Sequence, residues 1–203
     1  MEEKKEYYLI EIGKLFLKYG VSGITMEEIA TRIGISKKTI YNYFENKAEI
    51  VELIIQQRFK NDNEAMWETI TQGKNAIEIL VRITNQMKET IREVPPFVRR
   101  DLMKHFPLQL EKIGRNHKNN VFEGVRKNIL MGIYQDIYRS NINVELIARY
   151  YVNSLDQFIR EEVMAGTEIP IDAYYDEILS YHIHGIATAK GVTILEEIIN
   201  PTK

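Results

Sequence analysis

The chain has 203 residues, of which 44% are hydrophobic and 28% charged; that suits one generous globular domain, or a small module joined to a larger one, and not a disordered protein. It has no cysteine, which excludes disulfide frameworks, thiolate zinc sites, iron–sulfur clusters and cysteine nucleophiles and fits a reducing compartment. The 27 basic and 29 acidic residues leave a net charge of −2, so contact with nucleic acid must come from a local basic patch.

The first six residues, Met-Glu-Glu-Lys-Lys-Glu, mix charges and lack an apolar leader core. The longest stretch free of Asp, Glu, Lys and Arg, Ile178–Ala189, falls well short of the ~20 residues a bilayer span needs. The expectation is a cytoplasmic chain without a membrane partner.

Apolar residues at helical spacing fill almost every stretch between sparse Pro and Gly. Leu9, Ile12, Phe16 and Tyr19 form a first stripe, closed by Gly20. Short helices are expected over about 26–33 and 37–44, and a longer one from Lys47. Another fills 75–93 before Pro95-Pro96, followed by 98–105. The next runs from Leu108 to about Tyr138 with a break near 114–119, and the last two cover about 144–165 and 171–199. β-branched runs of period two are missing. The expected fold is all-α: an N-terminal three-helix helix-turn-helix module, residues 1–46, and a larger C-terminal helical body for ligand binding and dimerisation, residues 47–203.

Residues 25–47 carry the most information. Thr25-Met-Glu-Glu28 is a capping box, in which Thr25 accepts from the Glu28 amide and the Glu28 carboxylate reaches back. Gly34 permits a left-handed stop, and Ser36 is a good N-cap for a second helix. The Gly34-Ile35-Ser36 connection has the length of a helix-turn-helix. Ile29, Ala30, Ile33, Ile35, Ile40 and Phe44 would hold the pair together. Lys37, Lys38, Tyr41, Asn42 and Glu45 share the opposite face, flanked by Thr39 and Tyr43. Over 36–47 three lysines stand against Glu45, a surplus of two. Lysines and a helix N-terminus suit phosphate oxygens, while Thr39, Tyr41 and Asn42 can reach base edges or thymine methyls.

The runs Leu15-Phe-Leu-Lys-Tyr-Gly20, Ile24-Thr-Met-Glu-Glu-Ile-Ala30, Ile33-Gly-Ile-Ser-Lys-Lys-Thr-Ile-Tyr-Asn-Tyr-Phe44 and Asn46-Lys47 occur in the order and spacing of the TetR/AcrR family, which the first quarter of the chain resembles. One departure is Lys38, where many members have Gly. The resemblance implies a transcriptional regulator in which Thr25 and the start of its helix touch a phosphate. Lys37, Lys38, Thr39, Tyr41 and Asn42 would then face the groove, with Tyr43 and Lys47 clamping the backbone and Ser36, cap of the recognition helix, among the DNA-binding residues. Which of them reads a base stays open.

Beyond Asn46 the resemblance is loose; Val94-Pro-Pro-Phe97 and Asp101–Pro107 are similar to a stretch ahead of the family's pocket helices. It implies a homodimer built from the last two helices. Gly185, Thr188, Ala189 and Val192, with Tyr181, lie at helical spacing on one; Tyr150, Ser154 and Phe158 lie on the other. The same faces could instead pack within one subunit. Candidates for lining an apolar ligand pocket are Phe97, Met103, Phe106, Phe122, Met131, Tyr134, Tyr138, Tyr151 and Phe158, although such residues are more often plain core. Arg82, Gln86, Arg126, Asn153 and Gln157 are candidate polar contacts.

No enzymatic constellation stands out, and no cofactor or metal is expected. His182 and His184 lie about 200° apart around a helix and cannot share a metal. Neither a phosphate-binding glycine loop nor a Gly-x-Ser-x-Gly elbow occurs. The partners expected are a palindromic double-stranded DNA operator, a second copy of the chain and a small-molecule ligand. Repression released by that ligand is the leading expectation. An activator of the same fold, or a helical scaffold that has lost DNA binding, are the alternatives.

Overall fold

The structure, a computed structural model, describes residues 2–165 and 170–200, the side chains of Glu2 and of 158–165 excepted. Among the described residues there are helices and turns and no strand. In order they are α1 (Glu2–Tyr19), α2 (Met26–Arg32), α3 (Lys37–Tyr43), α4 (Lys47–Gln72), α5 (Ala76–Arg92), α6 (Pro96–His105), α7 (Pro107–Tyr134), α8 (Val144–Ala165), α9 (Ile171–Ile186) and α10 (Ala189–Ile199). The all-α expectation holds, and the starts of α4 and α8 fall at the expected residues.

Contacts gather the chain into two compact units, residues 1–61 with 93–116, and residues 62–92 with 117–203. The module expected at 1–46 lies wholly inside the first, which also takes the beginnings of α4 and α7 and all of α6. Its core is Ile12 and Phe16 of α1, Val21 and Ile24 of the next loop, Ile29 and Ala30 of α2, Ile40 and Phe44 at α3, with Ile50, Val51, Val98, Phe106 and Ile113. Tyr19, expected on the buried stripe, is 39% exposed, with the Arg32 guanidinium 4.3 Å from its ring centroid.

The second unit buries Ile77, Leu80, Ile129, Ile137, Tyr138, Tyr151, Tyr175, Ile183 and Leu195 together. Here two expectations are corrected. First, α7 runs through Gly114 without a break. One helical glycine costs only ~1 kcal/mol, and Ile113 beside it is buried at 8% exposure. The helix then stops at Tyr134, short of Tyr138. Asp136 turns left-handed at φ 58°, and the amides of Ile137 and Tyr138 both donate to the Gly132 carbonyl at 3.0 Å.

Second, the expected helix over 171–199 is two helices. The Arg139 amide donates to the Ile186 carbonyl at 2.8 Å, and the Thr188 amide donates to Ile137 at 3.0 Å. This isolated bridge between Tyr138 and Ala187 takes those groups out of the helical ladder. Thr188 then restarts the chain as the N-cap of α10, its hydroxyl accepting from the Gly191 amide at 3.3 Å. Gly185 and Ala189 are therefore not neighbours on one continuous helix.

The fold-back depends on Gly132. A Cβ there would lie 2.0 Å from Cδ2 of Tyr138, which has 2% exposure and cannot swing out without emptying the core. Gly132→Ala is expected to cost ~1–3 kcal/mol of stability as an overpacking change, read as a lower midpoint in urea unfolding with the slope unchanged.

Candidate nucleic-acid interface

The local signals of residues 25–47 are satisfied in full. The Glu28 amide donates to Thr25 Oγ1 at 3.2 Å, and the Thr25 amide donates to Glu28 Oε2 at 2.8 Å, so the capping box is closed both ways. The Thr25 amide and hydroxyl, both donating to the Glu28 carboxylate, hold that carboxyl below its usual range. Gly34 takes φ +75°, and the Ile35 amide returns to the Ala30 carbonyl at 2.9 Å. Ser36 starts α3 by accepting from the Thr39 amide at 3.0 Å. With Ile40 at 0% and Phe44 at 1% exposure, rotation of α3 about its axis is fixed.

That leaves the other face outward. Ser36, Lys37, Lys38, Tyr41 and Asn42 are exposed, as is Thr25; Thr39 and Tyr43 are half-buried. Tyr43 packs edge-on against Tyr8 of α1, with centroids 5.1 Å apart, so its ring belongs partly to the core. Lys37 pairs with Glu27 of α2, and its ammonium lies 5.9 Å from the Tyr41 ring centroid. The hydrogen bond between them lowers the Glu27 pKa and raises that of Lys37.

Lys47 turns inward, its ammonium donating to the Ile24 carbonyl at 2.9 Å and the Ser22 carbonyl at 3.4 Å. Burial pushes its pKa down, although Asp101 and Glu28 pull the other way. Among the described residues Lys38 is thus the lysine of this set without a polar partner. One further contact has no local signal in the sequence. Asp101 of α6, 80 positions from Val21, accepts from the Val21 and Ser22 amides at 2.6 Å each.

The remaining candidate residues scatter. Phe97 (43% exposed), Met103 and Phe106 lie in the first unit, Phe106 in its core. In the second unit a cavity of about 20 Å³ is lined by Met66, Leu80, Ile83, Thr84, Met87, Val121, Gly124, Val125, Asn128, Tyr151 and Leu155. Of the expected lining residues only Tyr151 is there. Tyr138 is core, its hydroxyl donating to Asn128 Oδ1 at 3.4 Å. Tyr134 is 90% exposed, because α7 ends at it. Phe122 lies under the Arg149 guanidinium at 4.6 Å, and Met131 is half-buried against the core. The side chain of Phe158 lies outside the described residues.

None of the polar candidates lines the cavity. Arg82 bonds Glu78, Arg126 bonds Glu123, and Gln86 accepts from Thr69 at 3.1 Å. Asn153 and Gln157 are exposed. On α8 and α9, Tyr150, Tyr181 and Gly185 are exposed and Ser154 is half-buried, as is Val192 of α10. Leu146, one turn before Tyr150, is 63% exposed. Among the described residues no three His, Asp or Glu side chains could hold a metal ion, and no helix is long and apolar enough to cross a membrane.

Residues 13–54 match the family model for bacterial regulatory proteins of the tetR family. Over 60 residues the chain is 32% identical to the HTH-type transcriptional activator FasR of Mycolicibacterium smegmatis; that match covers 30% of this chain and 27% of the relative. A transcriptional regulator from Cytophaga hutchinsonii superposes with a TM-score of 0.75 at 22% identity, covering 91% of this chain and 99% of that one. A protein from Saccharomonospora viridis, solved in complex with choline, gives 0.74 at 16% identity, with 93% and 100% covered. A TetR-family regulator from Agrobacterium tumefaciens gives 0.70 at 15%, with 92% and 99% covered.

His182 stacks on Tyr151 of the cavity wall with centroids 4.1 Å apart, and its Nε2 has no hydrogen-bond partner among the described residues. Burial lowers its pKa to about 4 from an ordinary 6.5. Between those values the unfolded chain binds a proton that the folded chain refuses. Stability is therefore expected to fall as the pH drops from ~6.5 towards ~4. Urea unfolding across that window would show His182→Gln losing less stability than the wild type; equal losses would contradict it.

Proposed function

We propose that this TetR-type transcriptional regulator acts as a homodimer that places α3 of each subunit in successive major grooves of a palindromic operator and is released by a small molecule. Residues 1–46 supply DNA contact, and residues 47–203 supply the ligand site and the dimer. The observation that carries the reading is the outward face of α3. Ile40 and Phe44 are buried, and the face opposite presents Lys37, Lys38, Tyr41 and Asn42 with the N-cap Ser36 leading. In a helix-turn-helix that leading half enters the groove.

Lys38 supplies phosphate contact directly. Lys37 exchanges Glu27 for phosphate on DNA, and because exposed ion pairs are worth at most ~1 kcal/mol the exchange is cheap. Lys47 acts by holding the loop ahead of α2. Dimerisation is supported by Leu146, Tyr150, Tyr181 and Gly185, all exposed on α8 and α9, where unpaired aromatic and apolar groups suit a two-fold contact.

The ligand would enter at the cavity in the second unit. At about 20 Å³ it has room for roughly one water, far below the ~300–1,000 Å³ of small-molecule sites. Met66 and Met87 in its wall are flexible enough to give way. The wall has no ionised group, so it favours a neutral, largely apolar ligand over a cation such as the choline held by the S. viridis protein. To act as a near-complete switch the ligand must favour the DNA-incompetent state by ~5.5 kcal/mol. Repression by blocking transcription is the simplest outcome of operator occupancy. Activation is the second reading, favoured by the activator among the relatives.

Fluorescence anisotropy against duplexes tiling the upstream region of the gene tests this. Tight binding to one tile is expected, weakened by salt and about tenfold or more by Tyr41→Ala, while Lys38→Ala lowers the salt slope by ~1. Equal, weak binding to every tile at all salt concentrations would contradict sequence-specific control of this region.

A further inference from the structure

The loop between α1 and α2, residues 20–25, is gripped on both edges by side chains distant in sequence. On one edge the Asp101 carboxylate takes the donors. Oδ2 accepts from the Val21 and Ser22 amides at 2.6 Å each, and Oδ1 accepts from the Ser22 hydroxyl. On the other edge the Lys47 ammonium takes the Ile24 and Ser22 carbonyls. Gly20 opens the loop in the left-handed region at φ +80°, which favours glycine, while a Cβ there would make only ordinary contact with the Asp101 carboxylate. The last residue of this loop is Thr25, cap of α2.

We infer that Asp101 is a positioning residue for DNA binding: through Val21 and Ser22 it sets where α2 begins and so the angle at which α2 and α3 are presented. The inference rests on the DNA-binding reading. Asp101 touches no DNA in this account; it acts through the loop. Three charge-assisted hydrogen bonds converge on it, and its side chain is 13% exposed. Burial pushes its pKa up, but the Ser22 and Val21 donors outweigh burial and hold it below the usual carboxylate value. The carboxylate is therefore ionised throughout the neutral range, where all three donors face a charged acceptor. Any movement of α6 must carry this loop with it or break those bonds.

The sign of the effect separates this role from plain electrostatics. Removing an acidic group from a DNA-binding unit ordinarily tightens binding to a polyanion. Loss of the grip predicts the opposite. Asp101→Ala should weaken duplex binding by about tenfold or more, the range for lost hydrogen bonds to a charged group. The salt slope should stay unchanged, because no phosphate contact is lost. Glu111→Ala makes the same charge change on the exposed start of α7 and should leave affinity equal or tighter.

The experiment is anisotropy on one duplex with the full-length wild type, Asp101→Ala, Asp101→Asn, Glu111→Ala and Ser22→Ala in both backgrounds. Amide hydrogen exchange without DNA accompanies it. Expected are faster exchange at Val21 and Ser22 in both Asp101 variants, and weaker DNA binding. Ser22→Ala should cost affinity alone and nothing further once Asp101 is alanine. Asp101→Asn, which keeps one acceptor oxygen, should fall between and serves where the alanine variant does not fold. Wild-type affinity in a folded Asp101 variant, even with a lowered unfolding midpoint, would overturn the inference by showing a role in stability alone. A wild type that binds no duplex would overturn the DNA-binding reading itself, and this role with it.

Discussion

The burial of one face of α3 is the constraint on which the N-terminal unit depends. Ile40 and Phe44 are sealed against α1, α2 and the start of α4, among Ile12, Phe16, Ile29, Ile50 and Val51. A seven-residue helix is too short to be stable in water by itself, so this burial is what makes it a helix at all. It also decides which residues cannot be buried. Once Ile40 and Phe44 point inward, the 3.6-residue period sends Lys37, Lys38, Tyr41 and Asn42 outward as a set. The outward surface of α3 is the complement of the core, and no residue on it has to be placed separately.

The second unit is organised by a different constraint, backbone closure. Gly132 admits the ring of Tyr138, and the segment 137–139 then pairs with 186–188. That pairing divides α9 from α10 and brings Gly191 so close that a Cβ would meet the Ile137 carbonyl oxygen at 2.2 Å. Around this closure Tyr151, His182 and Thr84 are buried with few polar partners, beside a small cavity edged by methionines.

Much of the first unit was legible because its signals are local. A capping box, a left-handed glycine, an N-cap serine and two apolar residues four apart need no tertiary information. The same holds for helix starts such as Lys47 and Val144. What escaped was non-local. Asp101 reaches a loop 80 positions away, and nothing in its neighbours announces that. Thr188 reads as one more position in a helical stripe until Ile137 and Arg139 pair beside it. Tyr134 and Tyr138 are both aromatics at helical spacing, yet one is 90% and the other 2% exposed. The difference is a turn between them, which periodicity does not encode. For the same reason Phe97, Met103 and Phe106, apolar and close to the expected pocket helices in sequence, sit in the first unit.

Contact of α3 with DNA through the face opposite Ile40 and Phe44 is what the proposed function stands on. Backbone amide resonances of the full-length, isotope-labelled protein, followed while a duplex is titrated in, address it most directly. The shifts are expected to concentrate at residues 36–43 and at the start of α2, with the amides of α8 and α9 moving little at their exposed faces. Saturable binding that leaves residues 36–43 unmoved while another surface responds would contradict it.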